Sequence, residues 1–161
     1  MLKQADVLML HHLLPDEVVP GSLGPNLSFY EPRTAHGSSL SPAIHAALFA
    51  RASRFDAALE NLRLASRLDI DDLTGTTAGG LHLATMGGVW QALVFGFAGV
   101  RPRGNALLVD PRLPPAWVAL EVRLRFRGHP LALRIEHGAV SLTGDDVVLT
   151  TKDEIWEVTI P

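Results

Sequence analysis

Apolar residues occupy nearly every face of residues 3–14, through Ala5, Val7, Leu8, Met9, Leu10, Leu13 and Leu14. That pattern predicts a helix buried on all sides. Pro15 ends it, because a proline cannot continue the hydrogen-bond ladder. Residues 15–41 carry Pro20, Gly21, Gly24, Pro25 and Pro32 and predict one long loop. Loops of that length in a compact chain are often functional. A short helix follows over 41–51. Ser53 with Asp56 three residues on is a weak capping-box signal for the next helix. That helix sets Phe55, Ala58, Leu59, Leu62, Ala65 and Leu68 at helical spacing, with Asp56, Glu60, Arg63 and Arg67 on a solvated face. After a turn-rich loop over 69–80, residues 81–97 (LHLATMGGVWQALVFGF) predict a second helix that is apolar all round, interrupted by Gly87 and Gly88.

Beyond Gly99 the period changes from helical to alternating. RPRGNALLVDPRLPP reads as a Pro-rich connector around one short strand. ALEVRLRFRG, HPLALRIEHG, AVSLTG, DVVLTT and EIWEVTIP then alternate apolar and polar residues between turns. Helices followed by strands predict an α+β architecture in two pieces, residues 1–99 and 100–161, with the strands forming a small antiparallel β-sandwich. Two helices without a polar face do not suit an independent bundle. The helical piece is expected to be part of something larger or one side of an oligomer interface.

The chain has 161 residues, enough for one domain or two small ones, with a formal net charge of -3 and charged residues at 19%. No basic field is available for nucleic acid or an anionic membrane. Cysteine is absent, which excludes disulfides and thiolate metal sites. The apolar run at the N-terminus is interrupted by His11, His12 and Asp16, so neither a signal peptide nor a membrane span is expected, and the default location is cytoplasmic.

The densest chemistry lies in EPRTAHGSSLSP, residues 31–42, which gathers Arg33, Thr34, His36, Ser38, Ser39 and Ser41 around Gly37. Hydroxyl, guanidinium and backbone donors before a helix start suit an oxyanion. The same letters also suit a plain helix entry, with Ser41 as cap and Pro42 at its first position. Local pattern leaves both readings open. A metal site from His11, His12, His36, His45 or His82 lacks the paired spacing such sites use. Trp90, Trp117 and Trp156 offer faces that could stack on sugars, but lone tryptophans are usually core or interface residues.

Five stretches in order carry a resemblance. KQADVLML from Lys3, FYEPRTAHGSSLSP from Phe29, ARASRFDAALENLRLASRLDIDD, GLHLATMGGVWQALVFGFAGVRPRGNALLVDPRLPPAW and the RLRFRG strand together resemble the C-terminal third of glycoside hydrolase family 65. That family includes the maltose, trehalose and kojibiose phosphorylases. The resemblance implies the last helices of an (α/α)6 barrel followed by the family's small β-sandwich. It implies that Lys3 and Gln4 contact the glucosyl unit next to the scissile bond. It also implies that Ser38, Ser39 and His82 line a phosphate pocket whose wall His36, Gly87 and Gly88 shape, with Arg33 and Thr34 as weaker candidates. Without it, Lys3 and Gln4 are exposed terminal residues, His82 a core histidine and the glycines packing positions.

The implied reaction is inverting phosphorolysis of α-linked glucose disaccharides, in which phosphate, a co-substrate rather than a cofactor, replaces the activated water of an inverting hydrolase. No metal is implied. The family's acid is a glutamate upstream of the KQAD motif, and Asp6, Asp16, Glu17 and Glu31 sit in no matching motif, so no catalytic residue is assigned. The 161 residues alone are not expected to turn over a disaccharide. Expected partners are the sugar and phosphate, with a second copy or a complementing barrel chain. The alternatives are half of a split enzyme or a non-catalytic structural or carbohydrate- or phosphate-binding domain.

Overall fold

A computed structural model of the protein describes residues 1–3, 6–35, 38–152 and 155–161. The chain is α+β and packs as two compact units, Met1–Leu93 and Val94–Pro161. Residues 94–99 thus pack with the strands.

In the first unit, α1 (Asp6–Leu13) buries Leu8, His11 and His12 but leaves Leu10 and Leu13 exposed, so within this chain it is not covered on all sides. The stretch expected to be one long loop instead contains α2 (Leu23–Tyr30) and a 3-10 turn, Glu31–Arg33. Its prolines are compatible with this, because Pro25 is the third residue of α2, where its missing N–H has no intrahelical partner to lose. Gly21 turns the chain into α2 at φ +78°.

The centre of the unit is α3 (Ser41–Arg51), buried from Ser41 through Ala50 and packed against α1, α2, α4 and α5. Ala43, Ala46, Ala47 and Ala50 keep its surface low, which lets neighbouring helices approach. The capping box expected at Ser53 does not form. Ser53 instead takes φ +56° and ends α3, with its own N–H on the Ala50 carbonyl and that of Arg54 on the Phe49 carbonyl, the Schellman arrangement. Helix α4 (Phe55–Arg67) then starts from Arg54 without a side-chain cap. It buries Ala58 and Ala65, and Leu62 packs on Ala46, Ala47 and Ala92. The last predicted helix is two pieces, α5 (Leu83–Gln91) and a π-helical segment, Ala92–Phe97.

In the second unit, β1 (Val100–Arg103), β2 (Ala106–Val109), β6 (Val148–Lys152) and β7 (Ile155–Thr159) form one antiparallel sheet in the order β1-β2-β7-β6. The other sheet is β3 (Ala119–Phe126), β4 (His129–Glu136) and β5 (Ala139–Gly144). The connector expected to hold one strand holds two, β1 and β2. Pro102 is tolerated in β1 because that strand lies at the sheet edge. Leu107, Val109 and Val158 from one sheet meet Val122, Leu131, Leu133 and Ile135 from the other in a shared core. Val94, Ala98 and Val100 join it, and Phe97 stacks on Trp117 with ring centroids 4.8 Å apart.

Candidate functional site

Backbone pairing draws the N-terminal segment onto the stretch that follows α2. The N–H of Leu2 donates to the Arg33 carbonyl at 2.7 Å, and the N–H of Ala35 donates to the Leu2 carbonyl at 2.7 Å. Leu2 and Thr34 thus form a short parallel bridge. Lys3, exposed, lies immediately after this bridge, and the Ser38 and Ser39 turn lies just beyond Ala35. Gln4 and His36, both expected at the site, lie outside the described residues.

A second tie joins that turn to α5. The Thr85 hydroxyl, buried in the first turn of α5, donates to the Ser39 carbonyl at 3.0 Å. Ser38 Oγ accepts from the Leu40 N–H at 3.4 Å, closing the turn locally. Ser38 and Ser39 are both half-buried. Ser41 opens α3 as its first residue, with Leu40 rather than Ser41 in the capping position. Its buried Oγ has no partner among the described residues.

His82 stands at the cap of α5, three residues before Thr85. Asp69 grips it twice, accepting the His82 backbone N–H at 2.8 Å and facing ring Nδ1 at 2.6 Å. The His82 hydrogen bond, as the largest cause, holds the Asp69 carboxyl below the usual carboxylate range. An ionised Asp69 accepts the Nδ1–H hydrogen bond and fixes the ring, leaving Nε2 as the imidazole's other polar atom. The loop carrying Asp69 is pinned by two further carboxylates. Asp71 receives Arg67 through two hydrogen bonds, at 2.5 and 2.6 Å, and Asp72 accepts the Thr77 N–H at 2.9 Å. Both carboxyls are lowered mainly by those bonds.

Sequence reasoning placed His82 at the site and missed Asp69. The two are thirteen residues apart, and only the closure of the 69–80 loop brings them together. The one signal was the acidic cluster DIDD at the end of α4.

The remaining candidates divide. Gly88 is buried, and a Cβ there would lie 2.7 Å from the Ala43 Cβ, so its bareness serves the contact between α5 and α3. Gly87 is exposed, and a Cβ there would meet nothing within 4 Å. Arg33 donates to the Phe29 carbonyl at 2.7 Å with its guanidinium 4.1 Å over the Phe29 ring, and Thr34 Oγ1 donates to the Tyr30 carbonyl. Both side chains are thereby committed to the end of α2. Among the histidines of α1, His11 Nε2 faces the Asn26 amide nitrogen at 3.0 Å and His12 Nε2 faces Gln91 Oε1 at 2.8 Å. Burial lowers the His11 pKa, so this ring rests neutral and accepts from Asn26. Among the described residues, no three His, Cys, Asp or Glu side chains gather to hold a metal.

The Leu2–Thr34 bridge thus precedes Lys3, and the Thr85 hydroxyl ties the Ser39 backbone to the first turn of α5, the helix that His82 caps. Lysine and serine side chains are hydrogen-bond donors of the kind that suits an oxyanion.

Residues 1–91 match the family model described as glycosyl hydrolase family 65 central catalytic domain, and residues 100–157 match that family's C-terminal domain. The chain is 38% identical over 143 residues to a kojibiose phosphorylase of Halothermothrix orenii, covering 89% of this chain and 18% of that protein. An alpha,alpha-trehalose phosphorylase of Geobacillus stearothermophilus is 33% identical over 98% of this chain and 22% of its own length. For a maltose phosphorylase of Bacillus subtilis the identity is 37%, over 86% of this chain and 18% of that protein. Among solved structures, a putative kojibiose phosphorylase from human microbiome superposes with a TM-score of 0.84 at 29% identity, covering 98% of this chain and 21% of that one. The chain thus spans about a fifth of the length of the curated relatives it matches. No helix among the described residues is long and apolar enough to cross a membrane.

Proposed function

Because the chain belongs to glycosyl hydrolase family 65, we propose that it is the C-terminal part of an inverting phosphorylase of α-linked glucose disaccharides, carrying the phosphate pocket and part of the glucosyl subsite. The observation that carries this reading is that the N-terminal segment and α5 are each tied to the stretch preceding α3, through the Leu2–Thr34 bridge and the Thr85–Ser39 hydrogen bond.

In this reading phosphate oxygens receive the Ser38 and Ser39 hydroxyls and, when the ring is protonated, His82 Nε2–H. Asp69 keeps that nitrogen presented and offsets the ring's positive charge. Phosphate attacks the anomeric carbon from the face opposite the glycosidic oxygen. The C–O bond to the leaving sugar breaks as the bond to phosphate forms, and the leaving oxygen takes a proton from a carboxylic acid. The acid belongs to the part of the relatives' length that this chain does not cover, as does most of an (α/α)6 barrel to which α1 to α5 contribute the last helices. Lys3, with Gln4, holds the glucosyl unit. Phosphate is the co-substrate, and no cofactor enters.

A complementing helical chain, or a second copy, is favoured over a free-standing binding domain by apolar side chains left uncovered on α1 and α5, such as Leu13, 64% exposed, and Leu83, 72% exposed.

Calorimetric titration with inorganic phosphate and with glucose 1-phosphate tests the pocket. Saturable binding at millimolar ligand, lost in Ser38→Ala/Ser39→Ala and in His82→Ala, is expected. Absence of binding, or binding that these variants leave unchanged, overturns the assignment and leaves a structural role.

A further inference from the structure

The β-sandwich unit has an open cleft of about 720 Å³, lined among others by Asp110, Arg112, Gly138, Thr151, Ile155 and Trp156. This volume lies within the range of roughly 300–1,000 Å³ typical of small-molecule sites. We propose that this cleft is a second carbohydrate site, which binds one or two neutral pyranose units through the Trp156 ring and the Arg112 guanidinium. It is independent of the phosphate pocket.

Three fixed elements build the cleft. The segment leaving β2 is held by the Asp110 N–H on the Gly99 carbonyl at 3.2 Å and the Arg112 N–H on the Phe97 carbonyl at 2.7 Å. The turn between β4 and β5 is anchored by His137 Nε2 at 2.9 Å from the Trp117 carbonyl. Trp156 lies in β7 between Val109 of β2 and Thr151 of β6, and part of its ring packs on the sandwich core. Preorganised polar and aromatic groups spend little of the binding energy on their own ordering.

The chemistry of the lining selects a neutral hydroxylated ring. Trp156 offers an apolar ring for the C–H face of a pyranose. Arg112 Nη1 donates to Asp110 Oδ1 at 2.6 Å and to the Pro111 carbonyl at 3.0 Å, and its Nε and Nη2 have no partner among the described residues. Those two N–H groups point to hydroxyl oxygens as acceptors. Asp110 offsets the Arg112 charge, and the carboxylate in the same wall disfavours a phosphate. Gly138, at φ +77° in the β4–β5 turn, has open space where a Cβ would stand, which keeps that side of the cleft low.

The test is chemical-shift mapping of the full chain with maltose, trehalose, kojibiose and cellobiose, and separately with inorganic phosphate. We expect at least one sugar to move the Trp156 indole N–H and the Gly138 amide saturably at millimolar concentration, with phosphate leaving both in place. Arg112→Gln, at a side chain 40% exposed, should weaken that response at least tenfold. Trp156→Phe should do the same, and because Trp156 also packs on the core, Arg112→Gln decides if that variant does not fold. The Ser38→Ala/Ser39→Ala/His82→Ala variant should keep the response, so failure of the phosphate pocket and failure of this cleft are read separately. No sugar response, a response that survives Arg112→Gln or is lost in the helical-unit variant, or a larger shift with phosphate than with sugar, overturns the proposal.

Discussion

The two units close their cores to different degrees. Among the described residues, fifteen large apolar side chains stand exposed in Met1–Leu93 and three in Val94–Pro161. In the sandwich the alternation of the strands turns one face inward, and two sheets satisfy each other. In the helical unit α3 is wrapped by its neighbours, whereas those neighbours carry apolar residues on the side away from it. Leu13 on α1 and Leu83 on α5 are mostly exposed, and Leu10, Met86 and Trp90 are exposed over nearly half of their surface. A sequence pattern that is apolar all round therefore reports a surface that these 161 residues do not themselves cover.

The largest expected effect follows from that asymmetry. The full chain should self-associate in solution, and the double substitution Leu13→Lys/Leu83→Lys should shift it toward monomer. Light scattering coupled to size exclusion, run across about a hundredfold range of concentration, reads the change. Both positions are mostly exposed, so the variant should fold as before by circular dichroism. A monodisperse monomer in the parent chain would break the comparison, because it would mean that the apolar faces need no partner.

Element type was legible wherever the periodic signal was long, as in α3, α4 and β3 to β5. It failed where proline carried the judgement. Pro25 and Pro102 each suggested irregular chain, yet one sits in a helix's first turn and the other in an edge strand, the places where a missing N–H costs little. Of the candidate site, the residue types were legible but their supports were not. Asp69 reaches His82 only through tertiary closure of a loop, and the Leu2–Thr34 bridge pairs segments thirty-two residues apart. Such contacts leave no periodic trace in a sequence.

Gly87 and Gly88 sharpen the contrast between a covered and an uncovered helix face within a single turn of α5. Gly88→Ala places a methyl 2.7 Å from the Ala43 Cβ, so two helices must part. A loss of about 1–3 kcal/mol is expected. Gly87→Ala meets nothing within 4 Å and should gain up to about 1 kcal/mol from helix propensity. Urea melts of the two variants give opposite signs if the packing is as described. If Gly87→Ala also abolishes phosphate binding while stabilising the fold, the open face of Gly87 belongs to the pocket wall.

A smaller effect is a pH dependence that should originate in the helical unit. Burial lowers the His11 pKa, so the folded state resists protonation that the unfolded chain accepts. Stability is then complete above the unfolded value, near 6.5. It declines as pH falls below that value, and this contribution levels off below the folded pKa. Asp69 works lower on the scale. Its carboxyl is depressed chiefly by the His82 hydrogen bond, so its contribution is present above the unfolded value of about 3.9 and is lost as pH falls through the folded one. Thermal melts between pH 8 and pH 3 should show a first decline that His11→Gln, which keeps an acceptor toward Asn26, flattens. A second decline, in the most acidic part, should shrink in Asp69→Asn. A first decline unchanged by His11→Gln would mean that the buried ring of α1 is not what makes this unit acid-sensitive.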